Sequence, residues 1–101
     1  MASVVFINCF EVPPDREEEF LELWTEVNEH MQRQDGYLAH RLHRALAPEA
    51  QFRFVNVAEW ASAEHWAAAH DDRFRRIVAQ PAWHDFTSVP ALFEPVREGK
   101  A

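Results

Sequence analysis

Asn56 and Trp60 stand four residues apart in the segment Phe54-Val55-Asn56-Val57-Ala58-Glu59-Trp60. In an extended strand they share parity with Phe54 and Ala58, so all four side chains point to one face. Four residues of strand cover about 13 Å, the length scale of a flat tricyclic molecule. An asparagine amide and an indole N–H are donors that can hold a developing oxyanion. His43, on the preceding strand, has the ring chemistry of a general base, since an unperturbed imidazole titrates at about 6.5. Arg76 can neutralise an organic anion. Trp66 and His70 on one helix and Trp24 on another can wall an aromatic slot, with Phe54 on its floor. Each of these residues also has a purely structural role open to it: Asn56 bonded to backbone groups, the tryptophans as core, His43 as a half-exposed strand residue, Arg76 in a surface ion pair. Whether His43 faces Asn56 depends on hairpin register, which the sequence leaves open.

Other chemistries fit less well. His40 and His43 are an odd number apart on a strand, and His65 and His70 are separated by about 140° around a helix, so neither pair forms a metal site. Cys9 is the one cysteine, which rules out an internal disulfide and thiolate-rich zinc, and it reads as a small buried residue. The two glycines, Gly36 and Gly99, form no phosphate-cradling pattern. A net charge of −7 disfavours nucleic acid as a partner. No run of about 18 apolar residues offers a membrane span, and the N-terminal residues lack the pattern of a signal peptide. A cytoplasmic location is expected. With 101 residues, the chain is expected to form one domain over 1–101.

The elements that must position these residues follow from periodicity. Residues 3–12 are rich in Val, Ile and Phe and read as a strand stopped by Pro13 and Pro14. A helix is expected from about Asp15 to Gln34, with Phe20, Leu23, Trp24, Val27 and Met31 on its apolar face and Gly36 as its left-handed terminator. Strands are expected from Tyr37 to Leu46 and from Phe52 to Trp60, joined as an antiparallel hairpin. Ser62 caps a second helix that carries Trp66, His70, Phe74 and Ile77 on one face as far as Pro81. A last, irregular strand runs from Phe86 to Val96. The order β-α-β-β-α-β defines an α+β, ferredoxin-like fold, a four-stranded antiparallel sheet with both helices on one face. On strict alternation Tyr37, Ala39, Arg41 and His43 lie on one face of their strand and Leu38, His40, Leu42 and Arg44 on the other. Since both sheet faces are half apolar, a homodimer with sheets packed face to face is expected.

The segment Gly36-Tyr37-Leu38-Ala39-His40-Arg41-Leu42-His43, together with Val55-Asn56-Val57-Ala58-Glu59-Trp60 and Ser62-Ala63-Glu64, resembles the antibiotic biosynthesis monooxygenase (ABM) family of dimeric α+β barrels over nearly the whole chain. It is most similar in pattern to the cofactor-independent oxygenases of polyketide anthrones. That resemblance implies Asn56, Trp60, His43 and Arg76 as catalytic residues, a small polycyclic phenol, anthrone or quinol as substrate, and molecular oxygen as co-substrate with no bound cofactor. Trp66 stands where the oxygenase pattern has Tyr, which keeps the ring and loses the hydroxyl. Such chemistry is physically reasonable, because an electron-rich carbanion or phenolate can give oxygen one electron without flavin or metal; the protein supplies a base, oxyanion donors and a dry slot. Two alternatives remain at this level. One is a ligand-binding barrel without turnover. The other is a haem-binding or haem-degrading monooxygenase, for which Asn8 matches but Ala69 and Val78 fall where Trp and the axial His belong; His70 would serve only in a shifted helix register.

Overall fold

The computed structural model describes residues 3–101. The apolar N-terminal run forms strand β1, Val4–Glu11, and Pro13 and Pro14 stop it. One 3-10 turn over Pro14–Arg16 precedes helix α1, Glu17–Gln32, so the helix proper starts two residues later than the sequence pattern suggests. Glu17, Glu18 and Glu19 occupy its first turn, next to the unpaired N–H groups. Strand β2 is Tyr37–Arg44 and β3 is Phe54–Trp60. Helices α2, Ala63–Ala68, and α3, Asp72–Val78, follow, then a 3-10 turn over Pro81–Asp85 and strand β4, Thr87–Phe93. The sheet order is β2-β3-β1-β4 with every pair antiparallel, the expected ferredoxin-like arrangement.

Three departures from the sequence reading have physical causes. The second helix is two helices, because Asp71 accepts a hydrogen bond from the Phe74 N–H at 2.9 Å and starts α3 as a new helix. Buried His30 of α1 holds this break, its Nε2 lying 3.2 Å from the Ala69 carbonyl oxygen and 3.2 Å from Asp71 Oδ1. The hairpin connection is also longer than its turn residues suggest. Arg53 folds back into it and donates to the carbonyls of Ala45 and Pro48, each at 2.9 Å, which takes Phe52 and Arg53 out of β3. Finally, β2 does not alternate strictly. Tyr37 pairs with Trp60 but Ala39 pairs with Glu59, so a bulge at Leu38 carries Tyr37 to the same face as His40.

The inner face of the sheet carries two aromatic clusters. In one, Phe20 is fully buried, stacks on Phe54 with centroids 4.9 Å apart, and meets Phe86 edge-on at 5.6 Å. In the other, Trp60 packs with Ala58 and Ala69, flanked by Tyr37, Met31 and Trp66. The row between them is polar: Asn8 of β1 faces Asn56 of β3. Gly36, which joins α1 to β2, has φ +85°, and a Cβ there would lie 2.3 Å from the His65 ring carbon Cγ. Gly36→Ala is therefore expected to lower stability by about 1–3 kcal/mol, read from the midpoint and slope of urea unfolding.

Candidate active site

Between the two aromatic clusters and beneath α1, α2 and α3 lies a cavity of about 520 Å³. Its floor is Phe6, Asn8 and Phe10 of β1 with Ala58 and Trp60 of β3; its roof is Trp24, Val27, Asn28 and Met31 of α1. Trp66, His70, Phe74 and Trp83 close the side, and Tyr37 stands at the Trp60 end. Its lining is mostly aromatic and aliphatic, with a few polar groups, the usual make-up of a small-molecule site.

Strand parity places the central donors. Phe54, Asn56, Ala58 and Trp60 are all buried on the inner face, while Val55 and Val57 are half-buried and Glu59 is exposed on the other. Trp60, expected from the sequence as an oxyanion donor, lies on the cavity floor. Asn56 is 6% exposed and sits behind Asn8, which is the asparagine that reaches the cavity wall. Directly opposed residues of an antiparallel pair have Cβ atoms about 5 Å apart, so the two amides are neighbours. The Oδ1 atoms of Asn8 and Asn56 and the Nε1 of Trp83 are buried without a hydrogen-bond partner. Each orphaned group costs about 1–3 kcal/mol, and two of the three belong to residues that line the cavity, Asn8 and Trp83.

The remaining expected residues divide. Trp24, Trp66 and His70 line the cavity. His70 has its Nδ1 at 2.7 Å from the Trp66 carbonyl oxygen, which makes Nδ1 the donor and leaves the lone pair on Nε2 in the neutral ring. Phe54 is buried in the Phe20 cluster rather than on the cavity wall. His43 is exposed on the outer face; it pairs with Val55, and its Nδ1 lies 3.2 Å from the Val55 carbonyl oxygen. The register therefore sets His43 on the side away from Asn56 and Trp60, and the base expected there is displaced. Arg76 is exposed as well, in a surface depression between α1 and α3 with Glu26, Glu29 and Gln80, outside the cavity.

The residues that pattern reading missed are polar ones at apolar positions. Asn28 is 8% exposed and sits four residues after Trp24 on the core face of α1; its amide nitrogen lies 3.2 Å from Nδ1 and 3.3 Å from Nε2 of His40. His40 shares the inner face and hydrogen-bonds the Tyr37 hydroxyl. Burial keeps the His40 ring below the ordinary histidine pKa. The Tyr37 phenol is pushed up by burial, against a smaller opposing effect of a hydrogen bond from Asn28. A polar residue at i+4 in an otherwise apolar helical stripe was the available signal for Asn28.

The sequence model of the antibiotic biosynthesis monooxygenase family matches residues 3–85. The chain belongs to that family. Among solved structures, a candidate monooxygenase from Shewanella loihica PV-4 is 31% identical, with a TM-score of 0.83 over 96% of this chain and 97% of that one. SnoaB, a cofactor-independent oxygenase from Streptomyces nogalater, is 24% identical with a TM-score of 0.79, over 97% of each chain. A ferredoxin-like protein from Mesorhizobium loti shares the fold at 11% identity and a TM-score of 0.71, over 96% of this chain and 100% of that one. No curated protein matches the chain. Within this ABM fold the orphaned asparagines make a stability prediction. Asn56→Leu, which replaces a buried amide with an unpaired oxygen by an apolar group of the same branched shape, is expected to leave unfolding free energy unchanged or raise it by up to about 2 kcal/mol, whereas Phe20→Ala costs about 3–5 kcal/mol. Chemical denaturation of the two variants checks the contrast.

Proposed function

We propose that this chain is a cofactor-independent monooxygenase acting on a polycyclic phenol, anthrone or quinol. The observation that carries the reading is the Asn8–Asn56 amide pair, with Asn8 on the wall of an aromatic cavity whose floor, from Phe6 to Phe10, runs about 13 Å and with amide N–H donors to offer an oxyanion. Family membership and the fold shared with a cofactor-independent oxygenase support it. For an anthrone, loss of a proton gives an enolate whose oxygen accepts from the Asn8 amide, with Asn56 opposite it on β3 to orient that amide. The enolate passes one electron to oxygen, the two radicals combine at carbon, and the peroxide takes up the proton. Elimination of water then leaves the quinone: one anthrone and one oxygen molecule give one quinone and one water. Aromatic walls exclude water, so the amide donors act at low dielectric, where a hydrogen bond to an anion is strong.

Oxygen uptake with anthrone, using protein freed of flavin, haem and metal, tests the reading. Wild-type uptake is expected to exceed autoxidation, Asn8→Ala to lower kcat by about 10²-fold, the usual effect of removing one oxyanion donor, and Asn56→Ala to lower it in the same direction by loosening Asn8. Melting shifts on adding the anthrone with no uptake above background would instead support a binding role without turnover.

We also propose that the protein works as a homodimer with sheets face to face. The molecule is a slab of 41 × 40 × 17 Å, with helices on one side of the sheet only. The other side presents Val5, Ile7, Val55 and Val57, half-buried, with Val89 and Phe93 about half exposed. Light scattering at micromolar concentration is expected to give twice the chain mass, and Val57→Glu to give the single mass with the same circular dichroism. A wild-type monomer overturns the arrangement.

A further inference from the structure

If the cavity ionises a phenolic or enolisable substrate, the proton it removes needs an acceptor, and the exposed His43 is on the wrong side of the sheet to be one. The inner face contains another imidazole. His40 takes a hydrogen bond from the Tyr37 hydroxyl, its ring packs 5.3 Å from that of Trp24, and the Asn28 amide lies against both of its nitrogens. Tyr37 and Asn28 line the cavity; Tyr37 also meets Trp60 edge-on at 5.5 Å. Tyr37 and Asn28 therefore share the cavity lining with Asn8, and His40 stands behind Tyr37. Two residues three apart on a strand share this face only because the Leu38 bulge inserts a residue between them.

We propose that Tyr37 and His40 form the proton relay of the cavity, with Tyr37 the catalytic residue that touches substrate and His40 the acceptor behind it; the proposal rests on the oxygenase reading and supplies its base. In the step, the O–H bond of a phenol or the ring methylene C–H bond of an anthrone breaks, its electron pair stays on the substrate, and its proton passes to the Tyr37 oxygen. The Tyr37 proton passes at the same time to His40 Nδ1. Substrate becomes the anion, Tyr37 ends as it began, and His40 becomes imidazolium; no oxidant or reductant is consumed. The local chemistry suits these roles. A phenol held above its usual pKa is a poor resting base but a good conduit, and a histidine held below its usual pKa rests neutral with a free lone pair. An amide N–H directed at the ring favours that neutral form. His40 sits on edge strand β2 and is part exposed, so the proton it collects can leave sideways to solvent. On the inner face its neighbours are uncharged, Tyr37 from its own strand, Trp24 and Asn28 from α1 and Ala58 from β3; at the sheet margin it also borders a surface depression with Arg41, His43 and Glu59, one cation and one anion beside a second imidazole.

The test uses 2-hydroxyanthraquinone, whose visible absorption moves to longer wavelength on ionisation, beside the anthrone assay. On wild-type protein the bound dye is expected to ionise at least one pH unit below the free dye, and Tyr37→Phe and His40→Gln each to abolish that shift. With anthrone, both variants are expected to lose at least tenfold in kcat with KM within twofold. The wild-type kcat should fall in acid only below the ordinary histidine range, and this acid limb should vanish in His40→Gln. A dye that ionises on wild type at its free-solution pH, or a shift that survives in both variants, overturns the relay. A Tyr37-dependent dye shift without oxygen uptake by wild type upholds the relay and removes the oxygenase reading. Uptake that depends on Asn8 and Asn56 but not on Tyr37 does the reverse.

Discussion

Two asparagines facing each other across neighbouring strands, in the middle of an apolar sheet face, set the terms for the rest of the molecule. Phe10, Phe20, Phe54 and Phe86 form one close-packed cluster and Trp60, Ala58 and Ala69 another. A pair of apolar residues at positions 8 and 56 would let these clusters merge into a continuous core. The amides hold them apart, because neither aromatic cluster offers the acceptors and donors an amide needs. What remains between them is a cavity lined by rings and floored by unmet hydrogen-bonding capacity. The close packing lies at the two ends and the candidate site in the gap, a distribution expected where local stability is traded for binding.

The helices make this arrangement durable. A continuous helix from Ser62 to Pro81 would run straight, but the Asp71 cap divides it, and His30 ties the division to α1 through the Ala69 carbonyl and the Asp71 carboxylate. Trp66, His70 and Phe74 are thereby presented to the cavity from a bent scaffold that is fixed at its bend. The Asp71 carboxyl is held below its ordinary pKa chiefly by the Phe74 N–H, with His30 adding a smaller effect of the same sign. This part of the stability is present above the ordinary carboxylate range and is lost as pH falls through the lowered value.

Fold class and the order of elements along the chain were legible in the sequence because the alternation in Phe54–Trp60 and the helical stripe from Phe20 to Met31 are both strong and local. The helix caps at Ser62 and Asp71 differ instructively. Ser62 follows a strand and is read at once, whereas Asp71 lies inside a stretch whose apolar spacing continues across the break. The site was half legible. Trp60, Trp66, Trp24 and His70 reach the cavity by periodicity alone. His43 and Arg76 do not, since strand register and helix rotation decide their facing and neither is written in local spacing. Tyr37 and His40 were assigned to opposite faces by strict alternation; one extra residue reverses that, and no turn residue announces it. Asn8, Asn28 and His40 share a simpler lesson: a polar side chain at a position that should be apolar is itself information.

The same extra residue at Leu38 has a bearing on solubility. β2 and β4 are the margins of the sheet, and a flat margin is a template on which further strands can add without limit. In β2 the bulge breaks the regular spacing of outward N–H and C=O groups, and in β4 Pro90 removes a donor from the row. Strand-to-strand growth is thus frustrated at both margins. The proposed dimer uses the broad face instead, and a face of that kind is used up when one partner covers it, so such an assembly closes where a fibre would propagate.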